Sequence, residues 1–239
     1  MKILGIDSSG LVASVAVIEG NQLLAEYTIH HKKTHSQTLL PMLDEIVRMI
    51  ELDLNSIDVI AVSAGPGSFT GLRIGSSTAK GLGQALNKPL VHVKTVDALA
   101  YNLAGHQGLV CPIMDARRNQ TYTGVYRFVG LECKVVVEQC AVGIEELIEI
   151  LNKQQEVVTF LGDGVEVFQE ILEEKLLITP QFAPAHLNKQ HAGAVAFLGQ
   201  KLYLEGKFET ASEHRPDYLR LSQAERERLE NEAKKSGTH

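Results

Sequence analysis

The sequence predicts a duplicated, two-lobed α/β fold. One order of elements, three β-rich runs followed by helix, strand and helix, occurs twice along 239 residues. A period of half the chain is too long for a solenoid and points to two copies of one domain. The composition agrees, since 44% hydrophobic and 22% charged residues are ordinary for a globular chain with its own cores.

In the first copy, Ile3–Asp7, Ala13–Glu19 and Gln22–Tyr27 are short β-rich runs parted by Ser8-Ser9-Gly10 and Gly20-Asn21, the pattern of a meander. Ser36–Ile50 carries apolar residues at helical spacing, with Ser36 or Thr38 as cap and Pro41 expected near the first turn. Val59–Ser63 is a short apolar strand, AGPGSFTGLRIG from Ala64 opens a second helix to about Leu86, Leu90–Val93 is a fifth strand, and Thr95–Leu103 is helical. After Gly105 the order restarts with strands at Val110–Asp115, Thr121–Val129 and Lys134–Glu138, a helix at Ile144–Leu151 and a strand at Val157–Leu161. Gly162-Asp163-Gly164 turns into a helix through Leu176, and Ala194–Glu205 closes the second unit. The expected division is an α/β domain over 1–105, a second over 106–221 and a charged, solvated tail over 222–239.

The net charge of −6 and the scattered lysines and arginines leave no basic stripe for a nucleic-acid backbone. Cys111, Cys133 and Cys140, odd in number and without CxxC spacing, fit reduced thiols. Asp7 interrupts the first apolar run, and no later run approaches the ~20 residues of a membrane span, so a cytoplasmic location is expected.

The glycine-rich stretch fails both familiar phosphate patterns. A P-loop needs Lys and Ser or Thr after its last glycine, where Leu72 and Arg73 stand, and a dinucleotide fingerprint needs a glycine where Thr70 stands. Helix N-terminal amides alone are a weak anion signal. More telling is the helix behind it, where Gly71, Gly75, Ala79 and Gly83 recur every fourth residue as a ridge with almost no side chain. Interior helical glycines cost about 1 kcal/mol each, so close packing must offset them. The apolar and small residues of this helix, including Ile74, Leu82 and Leu86, cover roughly 180° of its circumference. The first helix is equally broad, whereas a single sheet needs a stripe little wider than ~100°. Two readings follow: each helix packs on its sheet and on the other helix, or both dock on another chain through Leu39, Leu43, Ile46, Ile50, Gly71, Leu72, Gly75, Ala79, Leu82, Gly83 and Leu86.

Other candidates carry less. His31 and His35 have the four-residue spacing of helical metal ligands but flank Lys32 and Lys33, and His35-Ser36 serves equally as a cap. Asp7 in GIDSS suits either a metal-nucleotide or a local turn closed through Ser9. Its counterpart, Asp115-Ala116-Arg117-Arg118-Asn119, puts two cations where phosphate would need small residues. No local spacing supports a Ser-His-Asp, Cys-His or paired-carboxylate centre.

As a set, ILGIDSS at 3–9, HSQTLLPMLDEI at 35–46, AGPGSFTGLRIG at 64–75, MDARRNQTY at 114–122 and PDYLR at 216–220 resemble the bacterial TsaB family, in family order over most of the chain. The resemblance implies a ribonuclease H-like, two-lobed fold of the actin, hexokinase and heat-shock ATPase type. It implies a non-catalytic subunit for making threonylcarbamoyladenosine in tRNA, which docks through its two N-terminal helices on a catalytic relative, TsaD, joined by the ATPase TsaE. A homodimer through the same helices is the expected fallback, and tRNA is met only through the complex. The His-xxx-His pair that binds metal in TsaD has no match in TVDALAYNLAG from Thr95, so no metal, cofactor or catalytic residue is carried over. The alternatives are an ATP-dependent enzyme using Asp7, the glycine-rich amides and Gly162-Asp163-Gly164, or a metallopeptidase using His31 and His35.

Overall fold

The computed structural model describes residues 1–30 and 35–219; the charged tail over 222–239 lies outside them, as does His31. The first sheet is formed by β1 (Lys2–Asp7), β2 (Ala13–Glu19), β3 (Gln22–Ile29), β4 (Val59–Gly65) and β5 (Leu90–Lys94), in the order β3-β2-β1-β4-β5. β1 to β3 are antiparallel neighbours, and β1, β4 and β5 run parallel. α1 (His35–Met49) and α2 (Phe69–Leu86) cross between them, and α3 (Thr95–Ala100) follows β5. The second sheet comprises β6 (Leu109–Asp115), β7 (Gln120–Val129), β8 (Glu132–Gly143), β9 (Val158–Leu161) and β10 (Gln181–Phe182), in the matching order β10-β9-β6-β7-β8. The helices of this half of the chain are α4 (Ile144–Asn152), α5 (Val165–Lys175) and α6 (Ala192–Leu204).

The sequence order is therefore realised twice, with one strand beyond it. β10 is only two residues long, too short for any periodic signal, and it counterparts β5 at the parallel edge. Pro41 lies inside α1 rather than in its first turn, on an exposed face.

β1 and β4 are buried along both faces, which accounts for their continuous apolar runs. Leu4, Ile6, Ile60 and Val62 join Leu39, Met42 and Leu43 of α1 in one core, while Ile3, Val59 and Ala61 face Val195 and Ala196 of α6 in another. α6 thus packs on the first sheet, not on the second unit as its place in the sequence suggested. In exchange, Val96, Leu99 and Ala100 of α3 pack with Val110, Met114 and Tyr126 of the second lobe. Residues 206–219 also return to the first lobe, where Leu90 and Glu209 exchange backbone hydrogen bonds of 2.9 Å. Cys111 is wholly buried, and burial pushes its thiol up to about 12, out of the reactive range.

Two polar links fasten the exchanged helices. The Tyr126 hydroxyl donates to Asp97 Oδ1 on α3 at 2.6 Å, with the ring almost fully enclosed. Burial pushes the Asp97 carboxyl up, and the tyrosine bond only partly opposes it. Tyr126→Phe would leave that carboxyl short of a partner, so a loss of about 1–3 kcal/mol is expected, read as a lower urea midpoint at unchanged m.

At the start of α6, Ser14 Oγ accepts from Ala192 N at 2.9 Å and Glu26 Oε1 from Gly193 N at 2.8 Å, while Glu26 Oε2 lies 3.0 Å from His191 Nδ1. Burial alone would raise the Glu26 carboxyl, but the His191 and Gly193 hydrogen bonds and the neighbouring imidazoles outweigh it and hold it low. The Glu26 bond raises His191 above its ordinary 6.5, against a smaller opposing effect of burial. The His191 share of stability is complete below the ordinary value and is lost as pH rises through the raised one; the Glu26 share is lost only as acid passes its lowered value. Stability is therefore expected to fall as pH rises above 6.5, and His191→Gln to abolish that limb in denaturant titrations at stepped pH.

Candidate functional site

The broad faces of α1 and α2 meet two kinds of surface. Ser68 caps α2, its Oγ accepting from Gly71 N at 3.3 Å, and Asn87 in the left-handed region ends it. Along the ridge, a Cβ at Gly71 would lie 2.0 Å from the Ser8 carbonyl oxygen, one at Gly75 2.4 Å from Ser8 Oγ, and one at Gly83 2.4 Å from Leu90 Cδ1. Ala79 is wholly buried. The glycine seam is sealed on the chain's own β1 end and β5, so it is not an outward docking ridge. Of the other expected contact residues, Leu39, Leu43 and Ile46 are buried in the same core as Ala79, Leu72 is also buried, and Ile50, Leu82 and Leu86 are partly exposed.

One step around α2 lies a second row of small residues that the four-residue spacing alone could not rank against the first. Ser77, Gly81 and Ala85 are exposed, Ile74, Thr78 and Leu82 border them half-buried, and a Cβ at Gly81 would meet nothing within 4 Å. Beside this row, Leu40 of α1 is 53% exposed and joins Arg73, Ile74, Ser77 and Thr78 around a groove of 280 Å³ between the two helices. An apolar groove flanked by small residues is a surface onto which another helix can settle closely.

A second concavity is a 540 Å³ cleft between the lobes, bounded by Gly67, Ser68 and Phe69 on one side and Asp115, Arg117 and Asp163 on the other. Asp7, the expected metal-nucleotide acid, is only 1% exposed: Ser9 N and Oγ donate to its Oδ1 at 2.8 and 2.7 Å, and Ser63 Oγ to its Oδ2. This is the local turn through Ser9, and burial nonetheless pushes the carboxyl up. Four of the amides proposed for phosphate have partners: Gly65 N donates to Thr95 Oγ1, Ser68 N to Ser9 O, Gly162 N to Asn188 and Gly164 N to Ile113 O.

Across the cleft, Asp115 accepts from Arg117 N at 2.8 Å and pairs with its guanidinium at 3.0 Å. Arg117, Arg118 and Asn119 have φ of 65°, 57° and 54°, three consecutive left-handed residues that form the distinctive MDARRN turn. His35 Nε2 lies 2.9 Å from the Gly10 carbonyl oxygen, an ordinary structural bond.

The sequence matches the model of the family described as TsaD, tRNA N6-adenosine threonylcarbamoyltransferase, over residues 22–228. It is 32% identical to the "tRNA threonylcarbamoyladenosine biosynthesis protein TsaB" of Bacillus subtilis over 97% of this chain and 100% of that one. The chain belongs to the TsaB family. The Escherichia coli TsaB protein is 33% identical over 53% of the chain and 55% of its own length. Among solved structures, YeaZ from Pseudomonas aeruginosa superposes with a TM-score of 0.75 at 25% identity, covering 91% of this chain and 99% of that one. In this TsaB family member the strand order of the first sheet recurs in the second, the duplicated two-lobed α/β fold that the sequence predicted. Among the described residues, no helix is long and apolar enough to cross a membrane.

Proposed function

We propose that this chain is a non-catalytic subunit in the formation of threonylcarbamoyladenosine in tRNA, which docks on a TsaD-like transferase and stabilises its active form, with a TsaE-like ATPase joining the pair. The reading comes to the chain from the names of its relatives. The observation that carries the docking is the open groove between α1 and α2 with its neighbouring small-residue row at Ser77, Gly81 and Ala85. An enclosed Asp7, with Gly65 and Ser68 amides already partnered, argues against independent nucleotide chemistry in the cleft. Without the transferase, the same groove would pair two copies of this chain, and tRNA would be met only through the complex.

The experiment is to mix the chain with a TsaD-like transferase and follow mass by light scattering after size exclusion, with nucleoside analysis of tRNA once the ATPase is added. A heterodimer at micromolar concentration, and modification that requires every component, are expected. A chain that fails to associate, or one that turns over ATP or modifies tRNA alone, would overturn the reading.

A further inference from the structure

Outside the linings of both the cleft and the groove, the side chains of His92, Glu209 and His214 meet where residues 206–219 return to β5. His92 lies on β5, Glu209 pairs through its backbone with Leu90 on the same strand, and His214 follows one turn later, its N–H on the Thr210 carbonyl. One nitrogen or oxygen ligand atom from each falls within 4.8 Å of the others. His214 is wholly buried, whereas His92 and Glu209 are reached by solvent, and Glu209 also borders an open cavity of 590 Å³. The two imidazole centroids are 5.8 Å apart.

The outer partners are what distinguish this cluster from an ordinary Glu-His pair. Asp217 Oδ2 lies 3.0 Å from His92 Nε2, and Ser76 Oγ lies 3.0 Å from His214 Nε2. An imidazole whose Nε2–H donates to an oxygen presents Nδ1 as a lone pair, and metal-bound histidines nearly always have such an outer acceptor. His214 Nδ1 faces Glu209 Oε1 at 2.6 Å while Ser76 holds its Nε2, so an ion would replace the proton shared by that carboxylate and imidazole, with a His92 nitrogen beside them. Lys80, whose amine donates to the His214 carbonyl oxygen at 3.2 Å, adds one positive charge nearby, and Asp217 offsets it.

We propose that His92, Glu209 and His214 form a binding site for a divalent transition-metal ion, with zinc the best match, which clips the returning C-terminal segment to β5. Two imidazoles and one carboxylate are a borderline nitrogen and oxygen donor set; calcium and magnesium favour all-oxygen surroundings. Three protein ligands leave one position for water. The chain positions 92, 209 and 214 share no local spacing, so no sequence motif announces the site.

The test uses the full chain stripped with a chelator. Zinc affinity is measured by competition with a chromophoric chelator at neutral pH, and cobalt(II) absorption reports the coordination geometry. The expected result is one ion per chain with the intense bands of a four-coordinate site and a thermal midpoint raised by zinc. His92→Ala and Glu209→Gln are each expected to weaken binding by at least ~10-fold, with His30→Ala and His35→Ala unchanged. Because His92 is solvent-reached and glutamine keeps an acceptor for His214, both variants should fold, which circular dichroism verifies. No binding to the wild-type chain tighter than about 100 μM, roughly 5 kcal/mol on the affinity scale, overturns the proposal, as does binding that survives both substitutions or is lost with His30 or His35.

Discussion

Gly71→Leu is expected to destabilise the first lobe by about 3 kcal/mol or more, whereas Gly81→Leu, ten residues along the same helix, is expected to leave the fold intact. At Gly71 a side chain would run into a backbone carbonyl of β1's exit turn, 2.0 Å from the first added carbon. Neither partner can yield cheaply, because Ser8 Oγ itself donates to the Gly71 carbonyl at 2.8 Å and Ser68 N is tied to Ser9 O. Overpacking of a tight core costs about 1–3 kcal/mol, and collision with fixed backbone belongs at or beyond the upper end. Against a total domain stability of roughly 5–15 kcal/mol, that is a large fraction. Gly81 faces solvent with nothing within 4 Å, so replacement there restores helix propensity worth about 0.5–1 kcal/mol for alanine. Urea unfolding followed by circular dichroism separates the two; a Gly71 variant of wild-type stability would contradict the packing of α2 described above.

The second large effect concerns association. Gly81→Arg and Leu40→Glu, at exposed positions, are each expected to weaken docking of the transferase by about 100-fold, roughly 2.7 kcal/mol, with unchanged thermal unfolding of the isolated chain. Arginine at Gly81 fills the small-residue row on which a partner helix would close, and glutamate at Leu40 places a charge on the apolar rim of the groove. Leu177→Glu, at a 78% exposed leucine of the second lobe, is the control. Titration calorimetry or light scattering reads the difference. Equal weakening by Leu177→Glu would move the interface off α1 and α2. Gly75→Leu is unsuitable for this purpose, since its Cβ would meet Ser8 Oγ at 2.4 Å and the fold would suffer before the interface did.

Much of the architecture was legible because it rests on local periodicity. Short β-rich runs parted by turns marked the meander, glycine-rich turns marked helix starts, and the second copy repeated the first. β10 escaped because two residues carry no period, and α6 was given to the wrong lobe because its contacts with β1 and β4 are made across nearly the whole chain. The candidate docking face was half legible. The breadth of the apolar arcs showed that α1 and α2 each have more than one surface to bury, yet two small-residue rows lie side by side on α2, and helical spacing does not say which one meets the sheet.

By itself, then, the sequence determined the duplicated α/β class, the order of nearly every element, the absence of a familiar phosphate loop and, through five motifs, the TsaB family. The tertiary structure decided which glycines are sealed, that Asp7 is closed by its own turn, that α6 packs on the first lobe while α3 packs between the two, and that His92 meets Glu209 and His214. The division has one physical reason. Helix and strand periods are fixed by a few neighbouring residues, whereas the burial of a face and the meeting of distant side chains depend on which surfaces the whole chain brings together.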